Sequence, residues 1–111
     1  MIIISIPARL THPDPIDREN AQIVYNLIID NILDTLRSQT TAPNAPAQFK
    51  IAARMSPGDF ETFRTFKKNP VAQLGRRLQS IIPAGVTLVL FEYVSSTGQF
   101  EATFTIQQTT P

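Results

Sequence analysis

Apolar residues recur at helical spacing along one long stretch near the N-terminus. The stretch from Asp14 to Ser38 predicts a helix of roughly 22 to 24 residues, about 35 Å long. Asp14 suits the N-cap, and Pro15 suits the first helical position, where an amide hydrogen would be unpaired anyway. The buried face is predicted to fill about 180° of the helical wheel, with Ala21, Val24, Tyr25, Ile28, Ile29, Ile32, Leu33 and Leu36.

Two apolar residues of this helix, Ile23 and Leu27, fall outside that arc. Glu19, Asn26 and Asp30 lie near them on the predicted solvated face. Two interpretations stay open: the pair is a small apolar area on a surface helix, or it contacts a second subunit.

Alternation of apolar and polar residues predicts four short strands. The first ends at Pro7, and its apolar residues on both faces indicate that it is not an edge strand. The last two form a hairpin whose turn is Ser95 to Gly98. The strands are predicted at Ile2 to Ile6, Gln48 to Met55, Val86 to Val94 and Gln99 to Gln107.

Start signals predict two shorter helices between the second and third strands. Ser56-Pro57 supplies a cap and a first-turn proline, and Asn69-Pro70 ends that helix and begins another, which runs to Ile81. The phenylalanines Phe60 and Phe63 have the spacing of a core stripe, which continues to Phe66.

The element order β-α-β-α-α-β-β predicts an α+β fold. We expect a two-layer α/β sandwich in which three helices cover one face of a sheet of about four strands, with the hairpin at the C-terminus. Residues 1–111 are expected to form one domain, with a proline-rich loop at 39–47 and a polar tail at 108–111.

The strand from Val86 to Val94 is apolar on both faces, which predicts a central strand or one covered on both sides. Strict alternation would place Val89, Phe91 and Tyr93 on the open face of the sheet, near Lys50 and Arg54. An open apolar face indicates a partner. The predicted protein-interface residues are therefore Ile23, Leu27, Val89, Phe91 and Tyr93.

Charge is distributed unevenly, although the net charge is only +1. Residues 1–49 carry three arginines against five acids, residues 50–77 carry seven bases against two acids, and the remainder carries two glutamates. Acidic and basic blocks can attract each other between copies, or the basic block can face nucleic acid. The candidate nucleic-acid residues are a ridge of Arg64, Lys67, Lys68, Arg76 and Arg77, together with Lys50 and Arg54.

Motifs for catalysis are missing from the chain. It has no cysteine and no glycine-rich phosphate loop, and its single histidine, His12, stands in a connector without an acid or thiol partner. Asp30 and Asp34 are four residues apart on a predicted solvated face, which is not a metal site by itself. We therefore expect no enzyme activity, no catalytic residue, no cofactor and no metal.

No stretch of the chain approaches the ~18 apolar residues that a membrane span requires, so no membrane partner is expected. The expected location is the cytoplasm before assembly.

The element order, with a long helix at Asp14 to Ser38 and a hairpin at Val86 to Gln107, resembles small α+β proteins of phage necks and tails, such as connector-completion and tail-terminator subunits. The resemblance implies a ring-forming virion subunit and transfers no functional residue. With the residues above, it favours a non-catalytic assembly protein that binds copies of itself and other assembly proteins. The alternative is a nucleic-acid-binding module.

Overall fold

The computed structural model describes residues 2–5, 17–40 and 47–106 of the chain. It has the predicted element order and the predicted α+β fold, with three helices and a four-stranded sheet. The elements are β1 (Ile2–Ser5), α1 (Ala21–Thr40), β2 (Gln48–Arg54), α2 (Pro57–Phe66), α3 (Pro70–Ile81), β3 (Val86–Val94) and β4 (Gln99–Ile106).

The sheet is mixed and has the strand order β1-β2-β4-β3. β1 pairs with β2 in parallel, and β4 pairs antiparallel with both β2 and β3. β1 and β3 are the edges of this sheet. The prediction that β1 is not an edge strand is therefore wrong, and β3 is neither central nor covered on both sides, because Val89 and Leu90 are exposed. Only β2 and β4 have neighbours on both sides.

The core lies between the helices and one face of the sheet. α1 contacts β2, α3 contacts β3, and the two helices contact each other. Seven residues of α1 are buried, and all of them belong to its predicted apolar face. They pack with buried aromatic residues from the helices and strands, among them Phe49, Phe63, Phe100 and Phe104.

Helix α1 begins later than predicted. Residues 18–20 form a turn, and the regular helix starts at Ala21. Asp17 and Asn20 cap this turn reciprocally: each backbone N–H donates to the side-chain oxygen of the other residue, at 2.7 and 2.8 Å. Side chains that satisfy the unpaired amides of a first turn fix a helix start. The predicted cap, Asp14, lies outside the described residues.

Helix α1 also ends later than predicted, at Thr40 rather than Ser38, so the first two residues of the predicted loop at 39–47 are helical. The rest of that loop up to residue 46, the tail at 108–111 and His12 lie outside the described residues, as do Asp14 and Pro15.

The starts of α2 and α3 agree with their sequence signals. The backbone N–H of Asp59 donates to Ser56 Oγ at 3.2 Å, with Pro57 in the first turn of α2. Asn69, with a left-handed φ of 49°, redirects the chain into Pro70 and α3. Of the predicted phenylalanine stripe, Phe63 is fully buried, whereas Phe66 is 40% exposed.

Candidate protein-interaction site

A β-bulge in β3 decides which side chains face the helices. Leu88 is opposite Phe104 and Leu90 is opposite Thr103, so Val89 has no cross-strand partner of its own. An extra residue in one strand reverses the alternation of side chains beyond it. Leu90 and Val94 therefore share the second face of the sheet, the one opposite to the helices.

The bulge places Phe91 and Tyr93 on the helix-covered face, so their predicted placement on the open face is wrong. Phe91 is opposite Ala102, and its ring stacks on that of Phe100 with centroids 5.7 Å apart. The ring of Tyr93 stacks on Phe60 with centroids 3.9 Å apart. The Tyr93 hydroxyl donates to the Met55 carbonyl at 2.6 Å, so these rings already have partners within the chain.

The environment of Tyr93 favours the neutral phenol. Burial raises the pKa of Tyr93 above its ordinary value of 10.0, and the negative charge of Asp59 raises it further. A neutral hydroxyl can donate to the Met55 carbonyl, whereas a phenolate cannot. The raised pKa therefore agrees with the hydrogen bond.

The same bulge borders an open groove of about 860 Å³, here called the β3 groove, between β3, α3 and part of α2. Val89 and Leu90, which line it, are 56% and 48% exposed, so large apolar side chains face solvent along an edge strand. The other apolar lining includes Pro70, Val71, Leu88 and Phe91.

Two arginines are the charged residues that line the β3 groove. Arg64 on α2 forms an ion pair with Glu61 at 2.6 Å, in which both side chains are more than half exposed. Arg76 on α3 is exposed and has no ion pair with any acid in the described part of the chain. The groove therefore combines apolar walls with positive charge.

A second exposed surface, here called the α1 stripe, consists of Ile23, Leu27, Asp30 and Asp34. At ~100° per residue these four positions fall within roughly 60° of the helical wheel. Ile23 is 47% exposed, Leu27 is half-buried, and both aspartates are exposed. The stripe is thus apolar in its N-terminal half and acidic in its C-terminal half. This accessibility agrees with the predicted exposure of Ile23 and Leu27.

The predicted basic residues do not form one continuous free surface. Lys67 donates to Gln22 at 2.6 Å, and its ammonium lies 4.7 Å from the centroid of the Tyr25 ring. Arg76 lines the β3 groove, whereas Arg77 and Lys68 are exposed outside its lining.

Lys50 and Arg54 lie on the second face of the sheet, away from the helices. Lys50 forms an ion pair with Glu101 at 3.3 Å. β4 carries polar residues on this face, yet Glu101 and Thr103 are only 9% and 5% exposed. β4 is central, so the side chains of both neighbouring strands cover it.

Like charges meet on this second face of the sheet. Glu92 on β3 is directly opposite Glu101 on β4. Lys50 and the Gln99 side-chain amide both donate to Glu101, at 3.3 and 2.7 Å, which compensates part of the repulsion.

Within the described ranges, no three histidine, cysteine or acidic side chains lie together as metal ligands. None of the described helices is long and apolar enough to cross a membrane. Comparison with protein-family models, curated proteins and solved structures finds no match to this chain. Function is therefore inferred from the geometry of the described residues.

The sequence had no visible signal for the β3 groove. A bulge is a backbone irregularity that residue types do not reveal here. The run Val86 to Val94 has apolar residues at both alternating sets of positions, so either set could face the core. Leu90 was consequently missed as an exposed residue. The α1 stripe, in contrast, follows directly from helical periodicity.

Proposed function

We propose that this chain is a non-catalytic assembly protein that associates with copies of itself and with other proteins of a larger particle. One observation carries the proposal: large apolar side chains are exposed on two separate surfaces, the α1 stripe and the β3 groove. Monomeric proteins seldom keep contiguous apolar areas in water, so such surfaces are typical of protein contacts. Charge of opposite sign next to the two surfaces supports contact between copies.

A phage neck or tail is the particle that we propose for this subunit. The support is the element order β-α-β-α-α-β-β, together with surfaces suited to repeated contact between copies. The proposed location is then the cytoplasm before assembly and the virion afterwards.

Nucleic-acid binding has less support than assembly. Aromatic rings that stack on bases must be exposed, whereas the rings of Phe91 and Tyr93, predicted on the open face, pack against other rings. The nucleic-acid alternative rests on Lys68, Arg76 and Arg77. Replacing Arg76 and Arg77 with glutamate would abolish salt-sensitive retention on immobilised DNA or RNA under that alternative. The assembly proposal predicts no such retention in the unmodified chain.

The experiment that tests assembly is the solution mass of the purified chain over a dilution series, by light scattering at moderate and high salt. The proposal predicts a mass that is a multiple of 12.4 kDa and falls on dilution or at high salt. A mass of 12.4 kDa at every concentration would refute self-association. Retention on nucleic acid by such a monomer would then favour the alternative.

A further inference from the structure

We infer that the α1 stripe of one copy docks in the β3 groove of the next copy, which makes the contact between copies head-to-tail. This inference rests on the proposed function, because it names the surfaces through which the chain would associate with itself. Its occupant is a second copy of this chain.

The two surfaces match in apolar character. Ile23 is the exposed apolar residue of the stripe, and Leu27 adds to it one helical turn further on. The groove offers Val89, which is 56% exposed on an edge strand, with Leu88 and Phe91 beside it; Leu90, 48% exposed, borders the groove from the second face of the sheet. Burying these side chains against each other removes apolar area from water on both copies, which is the main favourable contribution in most protein associations.

The two surfaces also match in charge. Asp30 and Asp34 follow the apolar half of the stripe, about 4.5 and 10.5 Å further along the helix axis than Leu27. Asp34 forms an exposed ion pair with Arg37 at 4.0 Å, so Asp30 is the nearer and less compensated charge. The charged lining of the groove is Arg64 and Arg76. A helix that places its apolar half on Val89 and the groove wall beside it therefore brings carboxylates towards guanidinium groups. Complementary charge of this kind selects the orientation of a contact.

The placement of α3 keeps the two surfaces apart on one molecule. Tyr25 of α1 donates its hydroxyl to the Gln73 carbonyl, whereas Gly75 approaches Phe91 of β3. The stripe lies on the exposed side of α1, away from its buried residues, whereas the groove is lined by β3, α3 and part of α2 and by no residue of α1. A stripe and a groove on different sides of one molecule do not reach each other, and a contact between them is heterologous. Heterologous contacts build rings when the rotation closes, and filaments otherwise.

Complementation between two defective variants tests this contact. The stripe variant carries Ile23→Ser and Leu27→Ser and keeps its groove, and the groove variant carries Val89→Ser and Leu90→Ser and keeps its stripe. We expect each variant alone to be a folded monomer. Their equimolar mixture at high concentration should form a complex of two chains and nothing larger, because one intact stripe meets one intact groove.

The results that contradict the head-to-tail contact also show whether self-association itself stands. A variant that still associates alone, or a mixture that stays monomeric while the unmodified chain associates, overturns the head-to-tail contact and leaves self-association standing. An unmodified chain that is monomeric throughout overturns both proposals. Circular dichroism melting of each variant shows whether it is folded.

Charge reversal gives a second test that leaves the apolar side chains intact. Asp30→Arg and Arg76→Glu change exposed residues, and each should weaken association by up to about fivefold, the size expected for losing an exposed ion pair. The double variant should regain most of that loss. Arg77→Glu is the matched control, because Arg77 lies next to Arg76 but outside the groove lining. An equal effect of Arg77→Glu, or no recovery in the double variant, overturns the assigned charge contact.

Discussion

The variant Tyr93→Phe tests whether the bulge in β3 turns this residue towards the helices. The substitution removes one hydroxyl and keeps the ring, so the stack on Phe60 at 3.9 Å and the edge contact with Phe100 at 5.1 Å remain. The hydrogen bond to the Met55 carbonyl is lost. Such a bond contributes about 0.5 to 1.5 kcal/mol, and an acceptor left unsatisfied adds to the loss. We expect Tyr93→Phe to lower the free energy of unfolding by about 1 kcal/mol.

The assay is urea unfolding at neutral pH, with thermal melting alongside. For a chain of this length about 1 kcal/mol lowers Tm by roughly 3 to 6 °C. Tyr25→Phe is the matched control, because the Tyr25 hydroxyl bonds the Gln73 carbonyl at 3.3 Å, longer than the usual distance for a hydroxyl donor. It should change stability by less than about 0.5 kcal/mol. A loss of less than about 0.5 kcal/mol for Tyr93→Phe would indicate that Tyr93 lies on an exposed face, and it would refute the bulge.

The pH dependence of the same variant follows from the raised pKa of Tyr93. In the unfolded chain the phenol titrates near its ordinary value of 10.0, whereas the folded chain holds the proton to higher pH. The contribution of Tyr93 is therefore fully present below pH 10 and is lost as the pH rises through the folded-state pKa. The stability difference between the unmodified chain and Tyr93→Phe should shrink above pH 10. A stability difference that stays constant above pH 10 would contradict the raised pKa of Tyr93.

Further substitutions test the core and the sheet. Leu74→Ala removes a fully buried side chain and should lower the free energy of unfolding in urea by about 2 to 5 kcal/mol. A loss under about 1 kcal/mol would contradict the burial of Leu74. Gly75→Ala should stabilise α3 by about 0.5 to 1 kcal/mol, because alanine favours the helix more than glycine does and the added Cβ, 3.7 Å from Phe91, has room. Destabilisation would show that α3 and Phe91 lie closer together. Glu92→Gln relieves the repulsion of Glu101 across the strands and should raise stability by about 0.2 to 1 kcal/mol, and a loss would contradict that register.

Periodicity predicted the helices well because their apolar faces are wide. Every buried residue of α1 lies on its predicted face, since a helix that covers a sheet must bury one side whatever its neighbours are. The start of α1 was misplaced because Asp14-Pro15 and Asp17 are both plausible caps, and the hydrogen bonds between Asp17 and Asn20 decide between them only in three dimensions.

Strand faces were predicted less well because sheet pairing is non-local. β2 and β4 alternate cleanly, so their residue types alone place Phe49 and Phe104 on the core face, where both are buried. β3 is apolar throughout, so its residues do not show that Val89 is a bulge. That single irregularity moved Phe91 and Tyr93 into the core and left Val89 and Leu90 lining a groove that periodicity had not indicated.

The most direct test of the head-to-tail contact is a disulfide between copies. The chain has no cysteine, so the single variants Leu27→Cys and Val89→Cys report only on these positions. The two variants, one of them tagged to differ in mass, are mixed and oxidised, and the products are resolved without reductant. The account predicts that the mixed, tagged-to-untagged dimer predominates over both like-to-like dimers. Like-to-like dimers in the majority, or no crosslink in a chain that associates, would contradict it.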